Sequence, residues 1–234
     1  MPEHSRAAAE VWSDPAFAQA WLHADPAGQG DLLALPRRMA AALIAHDLPS
    51  PRLVVDVASG AGAFLSVLLD AFPEAHGIWT DASPAMLEEA RGRLERFGDR
   101  VEFLLGDMAE LRAAGVPGDA DVLSTSRASH HLDRTELHGF YREAAGLLRP
   151  GGWLVNLDHI GPEEDVWDRR YRAVRKQFTG PAAPSTAHHH RYPLPSVADH
   201  LDGYRAAGVT DADVAWKAFF SCLFLGRKES AETG

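Results

Sequence analysis

The chain has 234 residues with a single cysteine, Cys222, which excludes a disulfide framework or a cysteine-based zinc cluster within one chain. A formal net charge of −10 disfavours nucleic acid as substrate over the surface as a whole. With 46% apolar and 24% charged residues and no apolar run near the ~18 residues of a membrane span, it reads as a globular, cytoplasmic protein with no membrane partner. Its polar, alanine-rich opening, Met1 to Glu10, is unlike a secretory leader.

Residues 1–48 read as helical. Trp12, Phe17 and Trp21 form an aromatic series, and Leu32, Leu35, Met39 and Leu43 recur at helical spacing. Asp25-Pro26-Ala27-Gly28 separates the two segments. Together they are expected to form an N-terminal helical cap, which packs on a core, closes over a site, or does both. Leu53-Val54-Val55-Asp56-Val57 is a nearly continuous apolar run ending in a Gly/Ala/Ser turn, as a buried parallel strand reads. A helix through Phe64, Leu65, Leu68 and Leu69 follows, then a strand from Gly77 to Thr80 that ends at Asp81. Ser83-Pro84 opens the next helix, with serine as N-cap and proline in the first turn, and Gly98 sits where a C-terminal cap belongs. Further strands are expected at Val101 to Leu105, Asp121 to Ser124 and Trp153 to Leu157. A helix through Leu137, Phe140, Tyr141, Ala144 and Leu148 stops at Pro150-Gly151-Gly152. A polar helical segment at about 162–179, a Pro/Ala/His-rich loop at 180–195 and a helix at 196–207 come next. Two strands, 211–218 and 219–227, complete the pattern.

This alternation predicts an α/β fold: a doubly wound, mostly parallel seven-stranded sheet with helices on both faces and an antiparallel C-terminal edge. The expected organisation is the cap over 1–48 and a Rossmann-like domain over 49–230, with 159–195 as a lid or substrate insertion. Such sheets bind ligands beyond the carboxyl ends of their strands. Three features fall there. Gly60 and Gly62, in the turn after Asp56, let the backbone approach a ligand closely. Leu65 stands where a dinucleotide fingerprint needs its third glycine, so a nucleoside without a pyrophosphate fits better. Asp81, ending the second strand, suits two ribose hydroxyls. Asp107, in Gly106-Asp107-Met108 after the third strand, suits an exocyclic amine of adenine, with Met108 walling the ring. Taken singly, each aspartate is equally well a solvated turn residue.

In combination these motifs resemble the class I S-adenosylmethionine-dependent methyltransferases. Asp56 to Gly62 is similar to the glycine-rich first motif, Asp81-Ala82-Ser83-Pro84-Ala85-Met86-Leu87 to the ribose motif and Gly106-Asp107-Met108 to the adenine motif. Asp121 to Leu132 resembles the fourth-strand motif beside the reactive sulfonium, and Leu147 to Gly152 the signature before the fifth strand. Gly203 to Val209 with Val214 to Lys217 resembles the closing helix and strand. Ala58 and Ser59 depart from the pattern, Ala58 standing where the family usually has its first glycine. The resemblance implies S-adenosyl-L-methionine as cofactor, held by Asp56, Ala58, Gly60, Gly62, Asp81, Ala82, Met86, Gly106, Asp107, Met108, Ser126 and His131. Asp56 is expected to brace the turn.

Methyl transfer requires donor and acceptor in line at ~3 Å with water excluded, and a weakly acidic acceptor also needs a base. The catalytic candidates are His159, His130 and Tyr171, with Asp158 and His188-His189-His190 also considered. The triple histidine is a poor metal site, since adjacent loop residues rarely aim three rings at one point, so no metal is expected. Trp12, Trp21, Arg127, Asp158, Trp167, Tyr171 and Arg175 are the candidates for the acceptor side. Trp167 and Tyr171 could equally be core, and the cluster Arg169 to Lys176 either recognises an acidic acceptor or is a solvated helix face. Three readings stand. The first is a biosynthetic methyltransferase, monomeric or homodimeric, with a small-molecule acceptor. The second uses the same cofactor otherwise, by closing an azetidine ring with release of methylthioadenosine or by carboxymethyl chemistry. The third is a non-catalytic nucleoside-binding module.

Overall fold

The computed structural model describes residue 16, residues 28–179 and residues 193–230. Trp12, Trp21, the first helical segment and His188-His189-His190 lie outside the described residues. Leu53–Val57 forms β1, and its apolar side chains point alternately into two cores. Val54 faces one and Val55 the other, so the continuous apolar run is a strand covered on both faces. The other strands are β2 (His76–Asp81), β3 (Val101–Leu105), β4 (Ala120–Ser126), β5 (Leu148–His159), β6 (Asp213–Ala218) and β7 (Ser221–Arg227). They form one seven-stranded sheet in the order β3-β2-β1-β4-β5-β7-β6. The first five run parallel, and β7 is antiparallel to both β5 and β6. The order reverses between β1 and β4, which puts the ligand crevice at their carboxyl ends.

The helices are α1 (Gly28–Asp47), α2 (Ala63–Ala71), α3 (Pro84–Leu94), α4 (Arg134–Leu147), α5 (Asp165–Val174), α6 (Lys176–Thr179) and α7 (Val197–Ala206). One core joins α1, α2 and α3 to one sheet face, and the second joins α4 and α7 to the other. Caps set several starts. Ser83 Oγ accepts from Met86 N–H ahead of α3, and Asp133 with Glu136 and Ser196 with Asp199 make reciprocal capping boxes ahead of α4 and α7. Cys222 is fully buried and its thiol is pushed up to about 12 by burial, so it stays a neutral core group.

Three expectations change. Of the Leu35–Met39–Leu43 series on α1, only Met39 packs against the core: Leu35 and Leu43 are 48% and 42% exposed. Leu33, Pro36, Ala40, Ala41 and Ile44 are buried instead, because the small alanines allow α1 to approach α2 closely. β5 begins at Leu148, which ends α4 in extended geometry and pairs with Ala120 before a register shift. The apolar run from Phe219 is not strand throughout. Phe219 and Phe220 form the two-residue turn between β6 and β7, with Phe219 at φ 54°. Among the described residues no helix is long and apolar enough to cross a membrane.

Candidate active site

Backbone hydrogen bonds tie the turns after β1, β2 and β3 into one crevice. Ser59 N–H donates to Thr80 O at 3.0 Å, and Gly106 N–H to Asp81 O at 3.0 Å. Ala58 takes a left-handed φ of 48°, so this turn forms without the usual glycine, at a strain of about 1 kcal/mol. Gly60 lies at φ 55° with nothing within 4 Å of where a Cβ would stand, which leaves room for a ligand against the backbone. A Cβ on Gly62, at φ 76°, would press on Leu94 at 2.9 Å, so this glycine serves helix packing. Trp79 Nε1–H fixes the loop by donating to Gly60 O at 2.8 Å.

Asp81 accepts from Gly60 N–H at 2.8 Å and Ser83 N–H at 2.9 Å, one bond on each oxygen. A carboxylate has about four acceptor directions, so two remain for the vicinal hydroxyls of a ribose. Burial raises the Asp81 pKa against these backbone bonds. Asp107 accepts from Ala109 N–H at 2.9 Å through Oδ1, and its Oδ2 takes no bond among the described residues. Ser126 Oγ, at the end of β4, is buried with no partner among the described residues. The open Gly60, the half-used carboxylates and this orphaned hydroxyl fit a nucleoside with an amino-acid tail. Met86 departs from its expectation: it is core, 2% exposed beneath α3, and offers a ligand no side-chain surface.

Asp56 is fully buried and accepts from Ser124 Oγ at 2.6 Å and Ser59 Oγ at 2.5 Å. Burial pushes its pKa up to about 6, with the two hydroxyls and the Arg37 charge working against that rise. The folded protein therefore holds a proton that the unfolded chain, with a value of 3.8, has lost. The stability penalty grows as pH rises from about 4 through about 6 and is complete above that window. Between about pH 4 and 7.5 the native protein is expected to lose about 2 kcal/mol from this group, and Asp56→Asn to abolish that slope. Urea unfolding against pH checks it, and an equal slope in both proteins would contradict it.

At the β4 and β5 ends, Asp158 is 1% exposed and receives four hydrogen bonds. His130 Nδ1–H (2.6 Å) and His159 N–H (2.7 Å) donate to Oδ1, while Ser129 Oγ–H (2.6 Å) and His130 N–H (2.9 Å) donate to Oδ2. Its acceptor directions are used, so Asp158 does not line the acceptor side as expected. Burial opposes its charge, but the His130 ring, the His159 charge and the Ser129 hydroxyl prevail and hold it well below the usual carboxylate range. His130 Nδ1 is thereby committed to Asp158, which makes Nε2 the basic nitrogen. The ring stands 4.1 Å from His131 and 5.1 Å from His159, centroid to centroid.

A further polar chain braces the dyad. Asn156 Nδ2 donates to Ser129 Oγ at 2.8 Å and to Tyr141 OH at 2.7 Å, and Tyr141 OH donates to His200 Nδ1 at 2.5 Å. Burial lowers the His200 pKa to about 4, so its ring is neutral and accepts. Ser129, Asn156, Tyr141 and His200 were not candidates from sequence. Asn156 inside the apolar run of β5 was the readable signal, since a buried amide needs partners. Tyr141→Phe breaks the chain at its middle and is expected to cost about 1–3 kcal/mol in urea unfolding. An unchanged midpoint would contradict the bonding described.

Arg127, at φ 58°, follows β4, with its N–H donating to Leu157 O at 3.0 Å. Tyr171 of α5 and Arg175 just beyond it lie against Phe220 of the β6–β7 turn, and Trp167 packs on Tyr171. Tyr171 OH accepts from Lys217 Nζ at 3.0 Å.

Residues 54–152 match the family described as "Methyltransferase domain". The chain is 35% identical over 116 residues to a 3-amino-4-hydroxybenzoate 4-O-methyltransferase of Streptomyces cremeus, covering 49% of this chain and 31% of that one. It is 31% identical over 118 residues to a mitomycin biosynthesis 6-O-methyltransferase of Streptomyces lavendulae, covering 50% and 32%. The chain spans about a third of the length of these curated relatives. An O-methyltransferase family protein from Burkholderia thailandensis shares the fold with a TM-score of 0.65 at 23% identity, over 87% of this chain and 59% of that one.

Proposed function

Because the chain belongs to the class I S-adenosylmethionine-dependent methyltransferases, we propose that it methylates an oxygen of a small-molecule acceptor, with His130 as the base. The observation that carries this reading is the buried His130–Asp158 pair, 2.6 Å apart at the β4 and β5 ends beside the glycine turn. Val57 of β1 lies opposite Thr125 of β4, so the segment leading to His130 starts next to the donor loop. Bound there, S-adenosylmethionine supplies a methyl group on a sulfonium and leaves as S-adenosylhomocysteine. Asp81 would hold the ribose, Asp107 the adenine amine, and Gly60 the room for close approach. His130 Nε2 takes the proton of the acceptor hydroxyl as the oxygen is alkylated, and the resulting imidazolium keeps its partner Asp158.

The two Streptomyces relatives described above are O-methyltransferases by name, which favours methyl transfer to oxygen over ring closure or carboxymethyl chemistry. His159 and Tyr171 are secondary candidates: His159 meets the dyad through its N–H on Asp158 and its ring edge-on to His130, and Tyr171 faces the β6–β7 turn. In this proposal the described start of the 159–195 insertion, α5 and α6, borders the acceptor side, and the protein is a monomer or homodimer. The test is incubation of pure protein with S-adenosylmethionine, alone and with a set of hydroxylated acceptors. Adenosylhomocysteine formed only with acceptor is the expected result. Methylthioadenosine released without acceptor would overturn it.

A further inference from the structure

The turn joining β6 to β7 is built against backbone preference. Two-residue hairpin turns with φ above zero favour glycine, asparagine or aspartate, because a β-carbon crowds the backbone there. Here the position at φ 54° is Phe219, followed by Phe220. A bulky residue held in that conformation implies that its ring is needed where the turn places it. The turn lies beside the end of β5, since Ile160 N–H donates to Phe220 O at 2.7 Å and His159 pairs with Ser221.

Tyr171 of α5 packs edge-on against both phenylalanines, with centroids at 5.8 and 5.5 Å, and Trp167, 46% exposed, lies 5.6 Å from Tyr171. Cations are layered on these rings. Lys217 lies 4.7 Å from the Tyr171 centroid while donating to its hydroxyl, and Arg175 and Arg172 lie 5.8 and 5.4 Å from that of Phe220. Arg172 is paired with the Asp168 carboxylate at 2.6 Å, which neutralises it in part. On a chain of net charge −10, this patch of rings and cations is a local reversal of sign.

We infer that the strained Phe219–Phe220 turn and the facing side of α5 form a binding platform for a planar aromatic acid, whose carboxylate meets Lys217. The platform adjoins the end of β5, so under the methyl-transfer reading above, on which its role as acceptor site rests, the ring acid is the methyl acceptor. Rings stack and meet edge to edge with Trp167 and Phe219, while the carboxylate replaces solvent around Lys217.

The test is titration of the protein, with and without adenosylhomocysteine, with 4-hydroxybenzoate, 4-hydroxybenzamide and cyclohexanecarboxylate. The expected order places the ring acid at least about fivefold tighter than either comparison compound. Lys217→Met should weaken the acid about fivefold or more and leave the amide unchanged. Phe219→Gly, which suits the backbone of the turn and removes only the ring, should weaken acid and amide alike. Equal affinity for acid and amide, no binding of the acid, or indifference to Lys217→Met would overturn the platform. Adenosylhomocysteine is titrated in parallel. Its binding without the ring acid sinks the platform alone, whereas ring-acid binding without it sinks the donor assignment alone.

Discussion

His130→Asn is expected to lower kcat by about 10²- to 10⁴-fold while leaving the affinity for S-adenosylmethionine within about twofold. Asparagine is the informative replacement because of what surrounds the ring. Asp158 is fully buried and charged, and His130 Nδ1–H is one of its four donors. Alanine would leave that buried carboxylate short of one donor, at a cost of about 1–3 kcal/mol, and would confound activity with folding. The asparagine amide nitrogen falls near the place of Nδ1, so it keeps a donor on Asp158 and deletes only the basic Nε2. Steady-state kinetics, with donor titration and a thermal melt as controls, separate the outcomes. Full kcat in a folded variant would remove His130 from the mechanism and return attention to His159. The Asp158 charge also gives the fold an acid limit. Its folded pKa is depressed, so its contribution is complete above the ordinary carboxylate range and is lost as pH falls below it.

Asp81→Ala is expected to weaken adenosylhomocysteine binding about a hundredfold or more, the loss of two hydrogen bonds to a charged acceptor. The same carboxylate also orders two turns through Gly60 and Ser83 N–H. A loss of binding could therefore reflect disordered loops rather than a missing ribose contact. Asp81→Asn separates these, because its amide retains one acceptor oxygen for the loops and should bind at an intermediate affinity. Comparing ligands divides the effect further. Against a 2′-deoxy analogue of adenosylhomocysteine, Asp81→Ala should lose clearly less affinity, since part of what it removes is already absent. Calorimetric titration reads both, and an unchanged affinity with a lowered melting temperature would mark Asp81 as purely structural.

What could be read in the sequence followed local physics. Each strand from β1 to β5 contains a short apolar run near turn residues, so the doubly wound order and the placing of Asp56, Asp81 and Asp107 at or just beyond strand ends were legible. The antiparallel pair at the edge was legible too. Features requiring contact across the chain were not. Nothing in spacing brings Asp158 onto His130, 28 residues away, because their pairing depends on β4 and β5 lying side by side. Asn156 stands out in the apolar run of β5, but its partners Tyr141 and His200 were hidden, because both are buried on helices that carry no sign of the pairing. The β6–β7 turn was hidden by its chemistry. Phe219 and Phe220 continue an apolar run without a glycine or asparagine to mark the reversal, so strain looked like strand. On α1 the leucines suggested one face, but close packing against α2 selects the alanine-lined side.

In the proposed mechanism the crevice at the β1–β3 ends holds the donor and presents it to the His130–Asp158 pair. A crystal structure of the adenosylhomocysteine complex tests it most directly. The predicted result has both ribose hydroxyls on the Asp81 carboxylate, the adenine amine at Asp107 and the homocysteine sulfur on the side of Ser126 and His130. Adenosylhomocysteine bound elsewhere, or bound here with its sulfur turned away from the β4–β5 ends, would contradict it.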